Sequence, residues 1–232
     1  MDGAHLKNIY RNRFQDKEQI VKEKVWNVLG DFFSDLIFKL TGKKDFSILD
    51  FAAGSCEFIN NVRTAGKKTA IDLNSDISRC ANPDVDTICA SALDVSSLVT
   101  EKYDVVFVSN FFEHLNSPEE LLHCVAQIRK ILNRDGILIV LQPNIDLLNT
   151  KYWNFIDHKL PVNVPRMLEV ASLNDLTLKK LIVRFLPYST CSKMPKWPWL
   201  IKLYLFLMPF SGFLFGKQTL FVFEMEKVVD AQ

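Results

Sequence analysis

The chain lacks an excess of either charge: 28 lysines and arginines face 27 aspartates and glutamates, for a net charge of +1. Nucleic acid is therefore excluded as the main partner, because phosphate binding needs a clustered basic surplus. The five cysteines, Cys56, Cys80, Cys89, Cys124 and Cys191, show no paired metal spacing. Several sit within apolar runs, so they read as buried free thiols of a reducing compartment. No clustered ligand set suggests a metal. The N-terminus is charged and has no apolar stretch leading to a cleavage site, so no secretory signal is expected and the chain reads as cytoplasmic. An uninterrupted membrane-length run is also missing, since the most apolar stretch, residues 197–215, is broken by Pro198, Lys202 and Pro209. No internal repeat or low-complexity tract is visible. At 232 residues the chain suits one α/β domain with a modest addition.

What is present begins at Phe46. Phe46-Ser47-Ile48-Leu49 is a short apolar run that reads as a buried parallel strand ending on Asp50. It opens into Phe51-Ala52-Ala53-Gly54-Ser55-Cys56, a helical stretch from Glu57 to Arg63, and a second strand, Lys68-Thr69-Ala70-Ile71, that ends on Asp72. A strand, a turn of small residues, a helix and an acid about twenty residues on form the pattern of an adenosine-cofactor site. Small residues let the backbone approach the ligand, and the acid accepts from the ribose hydroxyls. Further strands and helices alternate to about Asn144, which predicts a parallel sheet with helices on both faces.

Later motifs decide which cofactor is meant. Tyr103 to Asn110 reads as a fourth strand, followed by Phe111-Phe112-Glu113-His114-Leu115. Ile128 to Gly136 and Ile137-Leu138-Ile139-Val140 read as a helix, a turn and a fifth strand. In this order the motifs resemble the class I S-adenosylmethionine-dependent methyltransferases, in the branch typified by ubiquinone-biosynthesis enzymes. The resemblance spans roughly Ile48 to Asn144. It implies a doubly wound, mostly parallel seven-stranded sheet of the Rossmann-like methyltransferase fold, with N-terminal helices, a C-terminal cap, and S-adenosyl-L-methionine as cofactor, released as S-adenosyl-L-homocysteine.

The first loop departs from the family, which carries glycines at the positions of Ala52, Gly54 and Cys56. Alanine is tolerable at 52 if its φ stays negative, whereas Cys56 adds bulk where helix and strand pack closely. A dinucleotide needs that close approach for its pyrophosphate, so the loosened loop argues against a nicotinamide-dependent reductase more than against a methyl donor. A non-catalytic, methyltransferase-like binding module is the remaining rival. Under the family reading Asp50 accepts from the donor's amino group or organises the loop amides; alternatively it caps the following turn. Asp72 takes the ribose hydroxyls and Leu73 packs on the adenine. Backbone groups of Ser91 and Ala92 read the adenine edge, with Asp94 as the substitute acid. Asn110 and Phe111 line the methionine half, Phe111 being equally suited to ordinary core.

For catalysis, Glu113-His114 reads either as an acid–base pair or as a helix-cap acid beside a packed ring. Asp157-His158 is the sharper pair, with His158 as base, although adjacent residues rarely point the same way. The N-terminal part, residues 1–44, is helical by the spacing of Ile20, Val21, Val25, Val28, Leu29, Phe32, Phe33, Leu36, Ile37 and Leu40. Residues 45–145 form the cofactor-binding core. Residues 146–232 supply acceptor loops, a helix at Val164 to Leu173, a sixth strand at Leu178 to Phe185, an apolar segment and a seventh strand at Gln218 to Glu224. Tyr152 to His158, Arg184 to Thr190 and Gly216-Lys217-Gln218 resemble a bacterial methyltransferase subfamily linked with surface-glycan or secondary-metabolite assembly. The acceptor implied is a small molecule, a glycan or a lipid-linked compound. Two short helices are expected over 197–215, as an acceptor lid, a homodimer face or a peripheral membrane contact.

Overall fold

The computed structural model describes residues 16–64, 66–187, 197–208 and 210–226. The chain runs α1 (Asp16–Thr41), β1 (Ile48–Phe51), α2 (Glu57–Asn61), β2 (Lys68–Asp72), α3 (Ile77–Cys80) and β3 (Val85–Cys89). It continues through α4 (Val95–Leu98), β4 (Tyr103–Ser109), α5 (Pro118–Ile131), β5 (Leu132–Pro143), α6 (Ile145–Leu148) and α7 (Val164–Ser172). It ends with β6 (Leu176–Leu186), α8 (Pro198–Phe206), α9 (Phe210–Phe215) and β7 (Gln218–Met225). The described residues thus hold the seven strands expected and the pair of short helices in the apolar stretch. Residues 1–15 of the expected N-terminal helix, the side chains of Ile20 and Val21, Tyr188 to Thr190, and Cys191 lie outside the described residues. These elements group into two compact units, Met1–Ala92 with Ser192–Ser211, and Leu93–Cys191 with Gly212–Gln232.

In the first unit β1, β2 and β3 are parallel, with Ile48 beside Lys68 and Lys68 beside Val85. β1 and β2 are buried throughout, which is why their sequences read as continuous apolar runs and not as alternating ones. Asp50, Lys68, Thr69 and Asp72 are the polar exceptions, and the Lys68 ammonium leaves the sheet to meet Asp84 at 2.9 Å. α1 packs on α2 and on α8. It ends at Gly42, whose φ of +74° suits glycine and whose amide donates to Phe38 O at 2.8 Å.

In the second unit β4 and β5 are parallel, Val105 to Ser109 lying beside Ile137 to Leu141. β7 inserts between β5 and β6 and runs antiparallel to both. The expectation of a mostly parallel sheet is corrected here: the sheet is mixed. The cause is local. β7 starts where β6 ends, with Leu186 beside Gln218 and the Lys217 amide donating to Leu186 O at 2.7 Å. Gly216 makes the re-entry, since a Cβ there would sit 2.4 Å from Arg184 O. α5 and α7 are each started by a side-chain cap followed by proline, Ser117 accepting from the Glu120 amide and Asn163 from the Arg166 amide. Cys56 and Cys124 are buried, but Cys89 is exposed, against the expectation of buried thiols. Among the described residues no helix is long and apolar enough to cross a membrane.

Gly30 fixes how closely α1 approaches α2: an added Cβ would lie 2.2 Å from the carbonyl oxygen of Asn61. Alanine would gain at most about 1 kcal/mol of helix propensity, and overpacking against backbone costs about 1–3 kcal/mol. Gly30→Ala should therefore lower stability by about 2 kcal/mol. The midpoint of urea unfolding checks this, and an unchanged midpoint would show that α1 is free to shift.

Candidate functional site

Two groups of polar residues lie at the carboxyl ends of parallel strands, one in each unit. In the first unit the chain leaves β1 through three left-handed residues: Ala52 at φ +58°, Gly54 at +58° and Cys56 at +62°. The condition set for Ala52, a negative φ, is not met. All three positions take the left-handed conformation that glycine adopts freely, yet two of them carry side chains. Each non-glycine residue there stores roughly 1–2 kcal/mol of strain. Asp72, at the end of β2, holds the path in place. Its Oδ2 accepts the Gly54 amide at 2.7 Å and its Oδ1 accepts the Asn74 amide at 2.7 Å. The Ala53 amide donates to Ile71 O at 3.0 Å. The Cys56 side chain is buried, with Sγ 3.9 Å from Ile77 O.

Asp50 lies inside β1, one residue before the strand's end, and is 3 % exposed. The Ile59 amide favours the charged form of Asp50. The N-cap residue of α2, Cys56, makes no side-chain cap bond. Burial pushes the Asp50 carboxyl well above the ordinary value, and Glu57 and Asp72 add to the shift. Burial also raises Asp72, against the pull of the Asn74 and Gly54 amides. Lys22 meets Glu57 at 2.7 Å. This set fits a cationic adenosine cofactor and not a pyrophosphate, which three neighbouring carboxyl groups would repel. Each Asp72 oxygen accepts one backbone amide and keeps a second lone pair, enough for ribose hydroxyls. Leu73, 44 % exposed, offers apolar surface next to it. Ser91 is half-buried and Ala92 buried just beyond β3, while Asp94 is exposed.

In the second unit β4 ends at Ser109, and Asn110 turns the chain at φ +50°. Asn110 Oδ1 accepts from Gln218 Nε2 at 2.6 Å, and its Nδ2 donates to Ser109 Oγ at 2.9 Å. Phe111 is half-buried and Phe112 is core. A 3-10 turn, Phe112–His114, then carries Glu113 and His114. The Glu113 carbonyl accepts the Lys159 and Leu160 amides at 2.7 and 3.1 Å, which docks the 157–160 segment onto that turn. Tyr152 fixes the other side of the segment, donating to Leu160 O at 2.7 Å and accepting the Val162 amide at 3.2 Å.

This docking gathers Glu113, His114, Asp157 and His158. Within the adjacent pair, Asp157 turns its carbonyl and carboxylate to His114. Nδ1 of His114 is 3.0 Å from the Asp157 carbonyl oxygen and 3.5 Å from Asp157 Oδ2. A carbonyl only accepts, so Nδ1 carries the proton and Nε2 presents its lone pair. Glu113 Oε1 lies 3.9 Å from that Nε2 and 4.0 Å from Nε2 of His158. Gln142, near the end of β5, donates to the other oxygen, Oε2, at 2.6 Å. The His114 side chain is 31 % exposed, against 2 % for His158. His158 is ringed by Tyr152, Phe155 and His114 with centroids 5.0–5.3 Å away. Burial holds it below the ordinary histidine value in spite of Glu113.

Reasoning from sequence named His158, Asp157 and His114 but gave Glu113 no settled role and missed Gln142. A glutamine closing the apolar run Ile137 to Leu141 was the signal available, because a buried amide needs a polar partner.

The loop strain gives a direct test. Ala52→Gly should raise stability by about 1 kcal/mol, whereas Ala52→Val should lower it. Cys56→Gly should bring no net gain, because relief of φ is offset by the cavity left at a buried side chain. Thermal melts of the three variants check the ordering.

Residues 49–140 match the family described as methyltransferase domain. No curated protein matches the chain. Among solved structures, a plantazolicin methyltransferase, BpumL, in complex with a triazolic desmethylPZN analog and SAH shares 15 % identity at a TM-score of 0.64, covering 97 % of this chain and 91 % of that one. An S-adenosylmethionine-dependent methyltransferase from Clostridium acetobutylicum ATCC 824 shares 13 % identity at 0.60, covering 97 % and 99 %. A second such enzyme from Archaeoglobus fulgidus shares 15 % at 0.56, covering 84 % and 93 %. At these identities the likeness is one of fold, and the matched domain adds the cofactor and the reaction type. The chain carries a methyltransferase domain over residues 49–140, and with it S-adenosylmethionine as cofactor and methyl transfer as its reaction.

Proposed function

We propose that the chain methylates an oxygen or nitrogen of a small-molecule, glycan or lipid-linked acceptor, drawing off the acceptor's proton at the Glu113–His114–Asp157–His158 cluster. The observation that carries this is His114: its Nδ1 is held by Asp157, its Nε2 presents a lone pair, and its side chain reaches solvent. When bound, the donor supplies a methyl group on a positively charged sulfur. Asp72 shapes the donor loop and takes the ribose hydroxyls, and Leu73 covers the adenine. Ser91 and Ala92 read the adenine edge, and Asn110 and Phe111 line the methionine half. Asp50 contributes negative charge in a dry environment. The acceptor's oxygen forms its bond to the methyl carbon as the carbon–sulfur bond breaks, sulfur keeping that electron pair as a neutral thioether. Charge disperses in this step, so alignment and exclusion of water supply most of the acceleration.

The apolar segment supports an acceptor with a greasy portion, or a second copy of the chain, over a free glycan. On α8 and just before it Trp197, Trp199, Leu203 and Phe206 are exposed, Phe206 by 83 %. The solved neighbours include enzymes for plantazolicin and mitomycin, which agrees with a small-molecule or peptide-like acceptor.

His114→Ala should reduce turnover by about 100-fold or more while leaving SAH affinity unchanged in calorimetry. Turnover would be followed with methyl-labelled donor against phenolic, amine, carbohydrate and lipid-linked hydroxyl acceptors. Equal turnover by the variant would remove the cluster from the chemistry.

Titration of the donor loop gives a second test. A carboxyl whose folded-state pKa is raised stabilises the free protein in its protonated form, and that contribution is lost as pH rises through the folded-state pKa. A cationic ligand favours the ionised form. Binding of S-adenosylmethionine at mildly acidic pH should therefore release a fraction of a proton, and affinity should weaken as pH falls through the raised Asp50 value. Binding heats measured in two buffers of different ionisation enthalpy read this directly. Identical heats would mean that Asp50 is already ionised or is remote from the ligand.

A further inference from the structure

We propose that Glu113 Oε1, His114 Nε2 and His158 Nε2 form a binding site for a first-row divalent transition-metal ion. The inference deepens the proposed acceptor chemistry: the cluster would act through a cation and not through a bare imidazole. The binding itself does not rest on that reading.

Three features point to it. First, one ligand atom from each of the three residues converges, all within 4.8 Å of one another. Bonds of about 2.1 Å in tetrahedral geometry require separations of about 3.4 Å, so closure by about 1 Å at the side-chain ends completes the site. Second, two of the three donors are oriented from behind by hydrogen bonds. Gln142 Nε2 occupies Glu113 Oε2 and leaves Oε1 toward the two imidazoles. The Asp157 carbonyl and carboxylate hold Nδ1 of His114, which fixes the tautomer that offers Nε2. The His158 ring is held by packing, between Tyr152, Phe155 and His114. A carboxylate or carbonyl behind a ligating histidine and an amide behind a ligating carboxylate are what metal sites use to aim their ligands. Third, the site is closed on one side and open on the other. Glu113 and His158 are sealed inside, and His114 stands at the rim. Three protein ligands, one of them at the solvent-exposed rim, are the arrangement of a catalytic metal, not a structural one.

The donor set selects the ion. Two imidazoles and one carboxylate suit Zn2+, Fe2+, Mn2+ or Co2+, while Mg2+ and Ca2+ favour all-oxygen shells. Such an ion would lower the pKa of an acceptor hydroxyl that reaches the open positions, so that oxygen arrives at the methyl group as an anion.

The test uses the full chain, stripped with a chelator and titrated with Co2+ and Zn2+. One equivalent of Co2+ should bind and give visible absorption of a low-coordinate ion, without sulfur-to-cobalt charge transfer. Zn2+ should displace it, and Mg2+ should bind at least tenfold more weakly. His114→Ala, at the partly exposed ligand, should weaken Co2+ binding tenfold or more, and so should His158→Gln and Glu113→Gln. Unchanged SAH affinity in each variant shows that the chain is folded. Cobalt left six-coordinate and aqua-like, thiolate charge-transfer bands, or binding indifferent to all three substitutions would overturn the site. Failure of metal binding while His114→Ala still abolishes turnover sinks this inference and keeps the acid–base reading. Metal binding with turnover indifferent to His114 keeps the site and sinks that reading.

Discussion

A carboxylate taken out of water must be met by hydrogen bonds, or it gives up its charge. That constraint shapes both halves of this chain. Asp72 meets it by gripping the amides of Gly54 and Asn74, and the grip sets the course of the loop after β1. Asp50 meets it only in part, because burial outweighs the help of the Ile59 amide and raises its carboxyl well above the ordinary value. Glu113 is 1 % exposed and meets it through Gln142, while its backbone carbonyl docks the segment carrying Asp157 and His158. None of these acids is decoration on a finished fold. Remove the Asp72 carboxylate and the loop after β1 loses the contact that defines its path.

The donor loop shows how a sequence motif can be lost while its geometry stays. Glycine at three positions is a cheap way to reach positive φ, but Ala52 and Cys56 reach it too, at +58° and +62°. The surrounding structure over-determines the conformation, as strained residues at functional sites require. Discrimination against a dinucleotide therefore does not come from a loosened loop, as the missing glycines suggested. It comes from charge, since Asp50, Glu57 and Asp72 stand together where a pyrophosphate would need positive potential.

Much of the architecture was legible because element order and burial leave strong local traces. The apolar runs at β1, β2, β4 and β5, the prolines at the starts of α7 and α8, and Gly216 before β7 all mark real boundaries. The direction of β7 was not legible, because a buried strand has the same composition whether it runs parallel or antiparallel. The partnership at the second site was also hidden. Asp157 and His158 are neighbours in sequence, yet the structure gives Asp157 to His114, 43 residues earlier. A pairing of that kind depends on how the 157–160 amides reach the Glu113 carbonyl, and no periodicity records it. The buried Gln142 was the one local trace that pointed there.

The place of β7 has a consequence for how the second unit comes into being. Its neighbours, β5 and β6, are complete by Leu186, but the strand that joins them begins only at Gln218. As the chain leaves the ribosome, two open strand edges wait for the last part of the chain, and the connecting stretch that must emerge first is the most apolar in the protein. Open edges and exposed apolar side chains are the two features that draw nascent chains into aggregates. Assembly of this unit is thus governed from its C-terminal end, and a protein truncated before Gln218 would leave β5 and β6 without the strand that bridges them.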